Sequence, residues 1–113
     1  ERVIWRLSTA PKGGAELVER IGRAVDTEFI QDWAGGLVWV AVAPAQDGGT
    51  MSVRAAVAAC GGHATLVRAP AVLRAAVEVF EPQAGGLAAL TKRIKDGFDP
   101  KGVLNPGRMW AGF

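Results

Sequence analysis

Apolar residues alternate or recur at helical spacing through most of the chain, and this pattern divides its first part into six elements. Val3, Trp5 and Leu7 alternate with Ile4, Arg6 and Ser8, which predicts a strand over Val3–Ser8. Pro11 suits the first turn of a helix, and Leu17, Val18, Ile21 and Val25 then recur at helical spacing with Glu16, Glu19, Arg20 and Arg23 opposite. Thr27 to Trp33 alternates again, with Phe29, Gln31 and Trp33 on one side. Gly35-Gly36 follows, and its tolerance of positive φ suits a tight hairpin turn. The returning strand, Leu37 to Ala43 (LVWVAVA), is apolar on both faces, as expected of a central strand covered on two sides. After a polar loop from Pro44 to Gly49, Val53, Ala56, Val57 and Cys60 form one stripe of a second helix, Thr50–Cys60, which Gly61-Gly62 ends. His63–Arg68 (HATLVR) makes the fourth strand.

The order βαββαβ predicts an α+β, ferredoxin-like fold: an antiparallel sheet with both helices on one face and nothing on the other. Residues 1–69 form this core. Pro70–Val77 reads as a short helix, Val79–Pro82 as an extended link, and Leu87, Leu90, Ile94 and Phe98 as one side of a further helix whose wet face carries Lys92, Arg93 and Lys95. Residues 70–98 thus hold additional helices. From Asp99 the run DPKGVLNPGRMWAGF is too rich in Pro and Gly for a helix, and too apolar to be left in water. Residues 99–113 are therefore expected to be an extended tail lying along a surface.

Length and composition narrow the chemistry. At 113 residues, half of them apolar, the chain can bury one core, roughly two thirds of its unfolded surface. No apolar stretch nears the ~20 residues that cross a bilayer, so no transmembrane segment is expected, and no leader-like segment opens the chain. The single cysteine, Cys60, and single histidine, His63, exclude an intramolecular disulfide and a structural zinc site made by this chain alone. A net charge of +2 gives little support to a nucleic-acid partner. Trp5, Trp33 and Trp39 lie in strands, but Gly36–Val42 does not match the RNA-recognition signature, and no nucleic-acid partner is expected.

Phosphate cradles of the P-loop and G-x-G-x-x-G kinds are absent, as are nucleophile elbows and Cys-x-x-Cys pairs. Lys12-Gly13-Gly14, entering the first helix, is a weak candidate for holding an anion. His63 is the one side chain of a type whose unperturbed pKa lies near neutrality, which makes it a candidate for proton transfer, or else a strand-end histidine bonded to backbone. Arg6 and Arg68 stand in otherwise apolar strands, where a guanidinium either pairs, snorkels or binds a ligand carboxylate. Cys60 falls on the apolar stripe of its helix and reads as a packing residue.

Phe98 to Met109, FDPKGVLNPGRM, closely resembles the C-terminal signature of FAD-linked oxidases of the vanillyl-alcohol oxidase type, with Val103 for the usual Ile and Arg108 for the usual Lys. VIWRLS (Val3–Ser8), DWAGGLVW (Asp32–Trp39) and GGHATLVR (Gly61–Arg68) are similar to the E subunits of bacterial glycolate oxidases. The resemblance implies a cap domain that lies over the flavin of an N-terminal FAD-binding domain, a domain this chain, starting at Glu1 without Met, is expected to lack. It implies FAD as cofactor of the full-length protein, none held by this fragment, and Asn105 and Arg108 near that FAD. It also implies other glycolate oxidase-type subunits as partners, a small 2-hydroxy acid such as glycolate as substrate, and a cytoplasmic location, peripheral to the inner membrane where partner subunits hold it there.

On this resemblance Arg6 or Arg68 would bind the substrate carboxylate and His63 would take part in proton transfer, while the isolated fragment would be inactive. The histidine-rich motif H-x-G-D-G-N-x-H of related caps does not occur here. That leaves two roles open, catalysis by this subunit or electron transfer and scaffolding beside a catalytic one. From the residues alone, a free-standing ferredoxin-like module for ligand binding or dimerisation, without redox chemistry, is the alternative.

Overall fold

The computed structural model describes residues 1–44 and 47–113; Ala45 and Gln46, within the expected Pro44–Gly49 loop, lie outside the described residues. The elements run β1 (Val3–Ser8), α1 (Gly14–Ala24), β2 (Thr27–Asp32), β3 (Leu37–Val42), α2 (Thr50–Cys60), β4 (His63–Arg68), α3 (Ala71–Ala76) and α4 (Gly85–Phe98). Two compact units divide them, Glu1–Val79 and Phe80–Phe113. The first unit runs past residue 69, where the sequence pattern closes the core, and takes in α3. It does so because Leu73, Val77 and Val79 pack on the core and Leu66 N donates to Val79 O at 2.8 Å.

The sheet of the first unit has the order β2-β3-β1-β4, with every neighbouring pair antiparallel. Two helical crossovers and one hairpin in this order give the ferredoxin-like α+β arrangement that the pattern predicts. Period-two alternation decides what each face carries. Val3, Trp5 and Leu7 of β1, Val38, Val40 and Val42 of β3, and Ala64 and Leu66 of β4 are buried with Leu17 and Ile21 of α1 and Val53 and Val57 of α2. Cys60 is half-buried and packs on the same core.

The second face of β3 is less covered than its composition predicts. Leu37 is buried and Ala41 half-buried, but Trp39 stays 36% exposed. No helix of the first unit overlies it, so strand-strand packing on that face supplies what cover there is.

Trp5 holds the centre of the core. Its ring is fully buried, and Nε1 donates to Gly48 O at 2.8 Å. The Arg54 guanidinium of α2 lies 5.1 Å above the ring, donating from Nη1 to Ala64 O at 2.7 Å and from Nη2 to Glu78 O at 2.8 Å. One arginine thereby ties α2 to β4 and to the segment after α3 through two backbone carbonyls. Asp47 sets the start of α2: its carboxylate accepts from Gly49 N and Met51 N, each at 3.0 Å.

The hairpin between β2 and β3 departs from the expected Gly35-Gly36 turn. β2 stops at Asp32, whose Oδ1 accepts from Trp33 N at 2.7 Å, and the left-handed residues are Trp33 (φ 51°), Ala34 (φ 54°) and Gly35 (φ 91°). Trp33 therefore does not share a strand face with Phe29 and Gln31; it projects into solvent at 65% exposure.

The same hairpin explains Gly14. A Cβ there would lie 2.1 Å from Gly35 O, so the turn's backbone passes directly against the first residue of α1. The Lys12-Gly13-Gly14 segment owes its second glycine to this close approach.

Trp5→Phe removes the donor to Gly48 O and leaves a buried carbonyl unmatched. Urea denaturation should show a loss of about 1–3 kcal/mol, against less than about 0.5 kcal/mol for Trp33→Phe in its solvated turn.

Candidate functional site

The helix-free face of the sheet gathers the strand residues that alternate with the core. Arg6 lies at its centre on β1, directly opposite Trp39 on β3 and Thr65 on β4. A groove of about 260 Å³ on this face is lined by Ile4, Glu28, Ile30, Trp39 and Ala41. Glu28 is already paired, since Arg2 Nη2 sits 3.0 Å from its carboxylate and 3.3 Å from that of Asp26. Among the described residues none makes a hydrogen bond or ion pair with the half-buried Arg6 guanidinium. An unpaired guanidinium beside an indole is a fixed positive charge with its donors free, and a planar carboxylate is its natural counterpart.

The other two sequence candidates on this sheet are placed differently. His63 opens β4 opposite Ser8, two residues along the strand from Thr65. That makes it a diagonal neighbour of Arg6, roughly 7–8 Å away between backbone positions, and both side chains share the open face. Arg68 ends β4 opposite Ile4, beyond a register shift at Ile4/Trp5. It is exposed, and its Nη2 lies 3.1 Å from the Glu1 carboxylate. The sheet thus brings Arg6 and His63 together and leaves Arg68 at the far end with a partner of its own. Of the three strand tryptophans, Trp5 faces the helices, Trp33 sits in the turn and Trp39 alone lies on the open face, so they form no common aromatic platform.

Asn105 and Arg108 belong to the second unit. There the tail does not run extended; it doubles back through turns, with Gly102 (φ 61°), Asn105 (φ 47°) and Gly107 (φ 69°) in left-handed conformations. The organiser is Asp99, a residue that pattern reading passes over. Its side chain is buried, its Oδ1 accepts from Val103 N at 3.0 Å and its Oδ2 from Leu104 N at 2.8 Å, and Lys95 Nζ bonds to Oδ2 as well. Lys95 also donates to Leu104 O at 2.7 Å. It is therefore a structural clasp rather than part of the wet face of α4, where Lys92 pairs with Asp96 and Arg93 is exposed.

The signal for Asp99 was present in the sequence. Asp-Pro followed by Lys-Gly is an Asx-type turn, in which a short carboxylate ties down amides a few residues on.

Around this clasp the second unit forms a cavity of about 590 Å³ lined by Phe98, Leu104, Asn105, Arg108, Met109 and Trp110. Trp110 packs against Phe80 (6.0 Å between centroids) and Phe113 (5.8 Å), and its Nε1 donates to Glu81 O at 3.1 Å. The Asn105 amide and Arg108 guanidinium have no side-chain partner among the described residues, so both sequence candidates are free donors beside an apolar hollow. The stripe Leu87, Leu90, Ile94 and Phe98 of α4 stays more than half exposed.

Among the described residues no group of His, Cys, Asp or Glu is arranged to hold a metal ion, and no helix is long and apolar enough to cross a membrane. No family model, curated protein or solved structure matches the chain.

The Lys95 hydrogen bond, with the amides of Leu104 and Val103, lowers the Asp99 carboxyl from 3.8 to about 2. A depressed carboxyl stabilises the folded clasp above the ordinary carboxylate range, and that contribution fades as pH falls through about 2. The Val103 and Leu104 amide NMR resonances should therefore hold their positions down to about pH 3 and shift with a midpoint at about 2, and Asp99→Asn should abolish this step.

Proposed function

We propose that the chain is the cap part of a FAD-linked oxidoreductase subunit of the glycolate oxidase type, taking part in the oxidation of a small 2-hydroxy acid, glycolate to glyoxylate. The observation that carries this reading is the unpaired Arg6 guanidinium on a helix-free sheet face, next to Trp39 and diagonal to His63. The run FDPKGVLNPGRM supports it from the sequence side.

On this reading Arg6 binds the substrate carboxylate and orients the α-carbon. His63 accepts the hydroxyl proton as the α-hydrogen leaves as hydride. Arg68, tied to Glu1, is the less suited of the two arginines. Flavin, when bound, supplies the hydride acceptor. The donor set of the second unit fits a contact at the rim of that cofactor: Asn105 and Arg108 are free, whereas the amides of Val103 and Leu104 are committed to Asp99 and make no cradle for a diphosphate. FAD retention is therefore assigned to an N-terminal domain outside this chain, and the fragment alone is inactive.

In the full-length enzyme complex, Arg6→Ala should raise the KM for glycolate about 10-fold or more, the loss of a charged hydrogen bond. His63→Ala should lower kcat by about 10²-fold, and Arg68→Ala should leave both within about twofold. Unchanged turnover in the Arg6 and His63 variants overturns the assignment. Titrating the isolated chain with FAD should show no micromolar quenching of flavin fluorescence.

A further inference from the structure

The two edges of the sheet are not equivalent. On β4, Leu66 N donates to Val79 O at 2.8 Å and Arg74 Nη1 to Val67 O at 2.9 Å, so the outer side of that strand is covered. At the other edge Ala43 N donates to Asp26 O at 3.0 Å, which turns the backbone groups of Asp26, and by period two those of Glu28, Ile30 and Asp32, toward β3. The N–H and C=O groups of Thr27, Phe29 and Gln31 therefore point outward, and no described residue bonds them. The strand TEFIQD carries neither Pro nor Lys, the residues that ordinarily blunt an edge.

These free groups border a cleft. The side chains of Thr27, Phe29 and Gln31 turn to the helix side of the sheet, where Phe29 lies opposite the core residue Val40. With Ala15, Val18 and Gly22 of α1 they line an open cleft of about 750 Å³, and Phe29 stays 51% exposed in it. A strand edge with unpaired backbone groups beside a helix is the geometry that receives an extended peptide: main-chain bonds hold the peptide as an added strand, and its alternate side chains enter the cleft.

Charge chooses the occupant. The opposite face of β2 carries Glu28, Ile30 and Asp32, with Asp26 just before the strand. Among the described residues only Arg2 forms ion pairs with these carboxylates, reaching Asp26 at 3.3 Å and Glu28 at 3.0 Å, while Glu19 and Arg23 beside the cleft pair with each other. An excess of negative charge is left on this edge of a chain whose net charge is +2. That excess opposes a second copy. Two-fold antiparallel pairing centred on Glu28 sets that residue against itself, centring on Phe29 sets Asp26 against Asp32, and centring on Ile30 sets Glu28 against Asp32. The same carboxylates favour a strand that brings cations opposite Glu28 and Asp32, with an apolar residue between them beside Ile30.

We infer that β2 receives, as an added strand, an extended segment of a partner polypeptide in which Lys or Arg flanks an apolar residue on one face and apolar residues turn toward Phe29 and the cleft on the other. This inference stands apart from the flavoprotein reading, since it uses no residue assigned to substrate or cofactor.

NMR titration of the full chain with the synthetic peptide Ser-Lys-Val-Val-Val-Lys-Ser, and with its counterpart bearing Glu for Lys, tests it. At low salt the Lys peptide should shift the Thr27, Phe29 and Gln31 amide resonances saturably, and the Glu peptide should bind at least about 10-fold more weakly. Salt at about 1 M should erase most of that preference. Phe29→Pro removes an outward N–H without breaking a bond to β3, and should abolish binding of both peptides. Circular dichroism checks that the variant folds. Should Phe29→Pro fail to fold, Glu28→Lys, a change at an exposed position, should cancel the preference for the Lys peptide. No saturable shift at β2, equal affinity for the two peptides, a folded Phe29→Pro that still binds, or a Glu28→Lys chain that keeps the full preference overturns the proposal. So does sedimentation equilibrium showing that the chain dimerises and that Phe29→Pro makes it monomeric, since β2 would then be taken by a second copy.

Discussion

Burial of Trp5 is the constraint on which the first unit turns. Because strand residues alternate, committing Trp5 to the helix side commits Val3 and Leu7 with it and sends Ile4, Arg6 and Ser8 to the other side. The indole has one donor, which Gly48 O satisfies, and its ring gives Arg54 an apolar shelf from which to reach two carbonyls. The residue that anchors the core thus fixes where the unpaired Arg6 guanidinium of the open face must stand. A one-residue slip of β1 would bury Arg6 and expose Trp5, losing a large apolar contact and desolvating a charge at once.

The second unit is organised by charge rather than by apolar area. Its helix turns an apolar stripe to solvent, and its tail is held by a buried carboxylate between a lysine and two amides. Charge-assisted bonds to backbone amides do not depend on a large core, which suits a segment of this size. They also make the local fold of residues 99–104 depend on the charge state of one side chain.

The fold of the first unit was legible because its signals are local and agree with one another. Period-two runs marked β1, β2 and β4, a run apolar on both faces marked β3, helical spacing marked α1 and α2, and breakers fell between them. The hairpin was less legible: Trp33 continues the alternation of β2, but Asp32 caps the turn through its own side chain, an interaction that hydrophobic periodicity does not record. The tail was misjudged for a similar reason. Proline content argued for an extended course, whereas the decisive group was the Asp99 carboxylate, which gathers amides beyond the proline. Arg6 and His63 were legible as unusual residue types, and their adjacency follows from strand register. Arg54 and Asp47 were missed because neither interrupts a pattern, and each acts on backbone groups distant from its own place in the helical or loop periodicity.

The meeting of Gly14 with the carbonyl of Gly35 restricts how this molecule can vary. Surface hairpins are ordinarily where insertions and deletions are absorbed, but here the loop's backbone is seated on the first turn of a helix from an earlier part of the chain. Lengthening the loop would lift it from that seat, and shortening it would drive an oxygen into a Cα. Drift in chain length should therefore be found elsewhere, and any attempt to graft a reporter peptide onto the first unit would do better away from the Trp33–Gly36 bend.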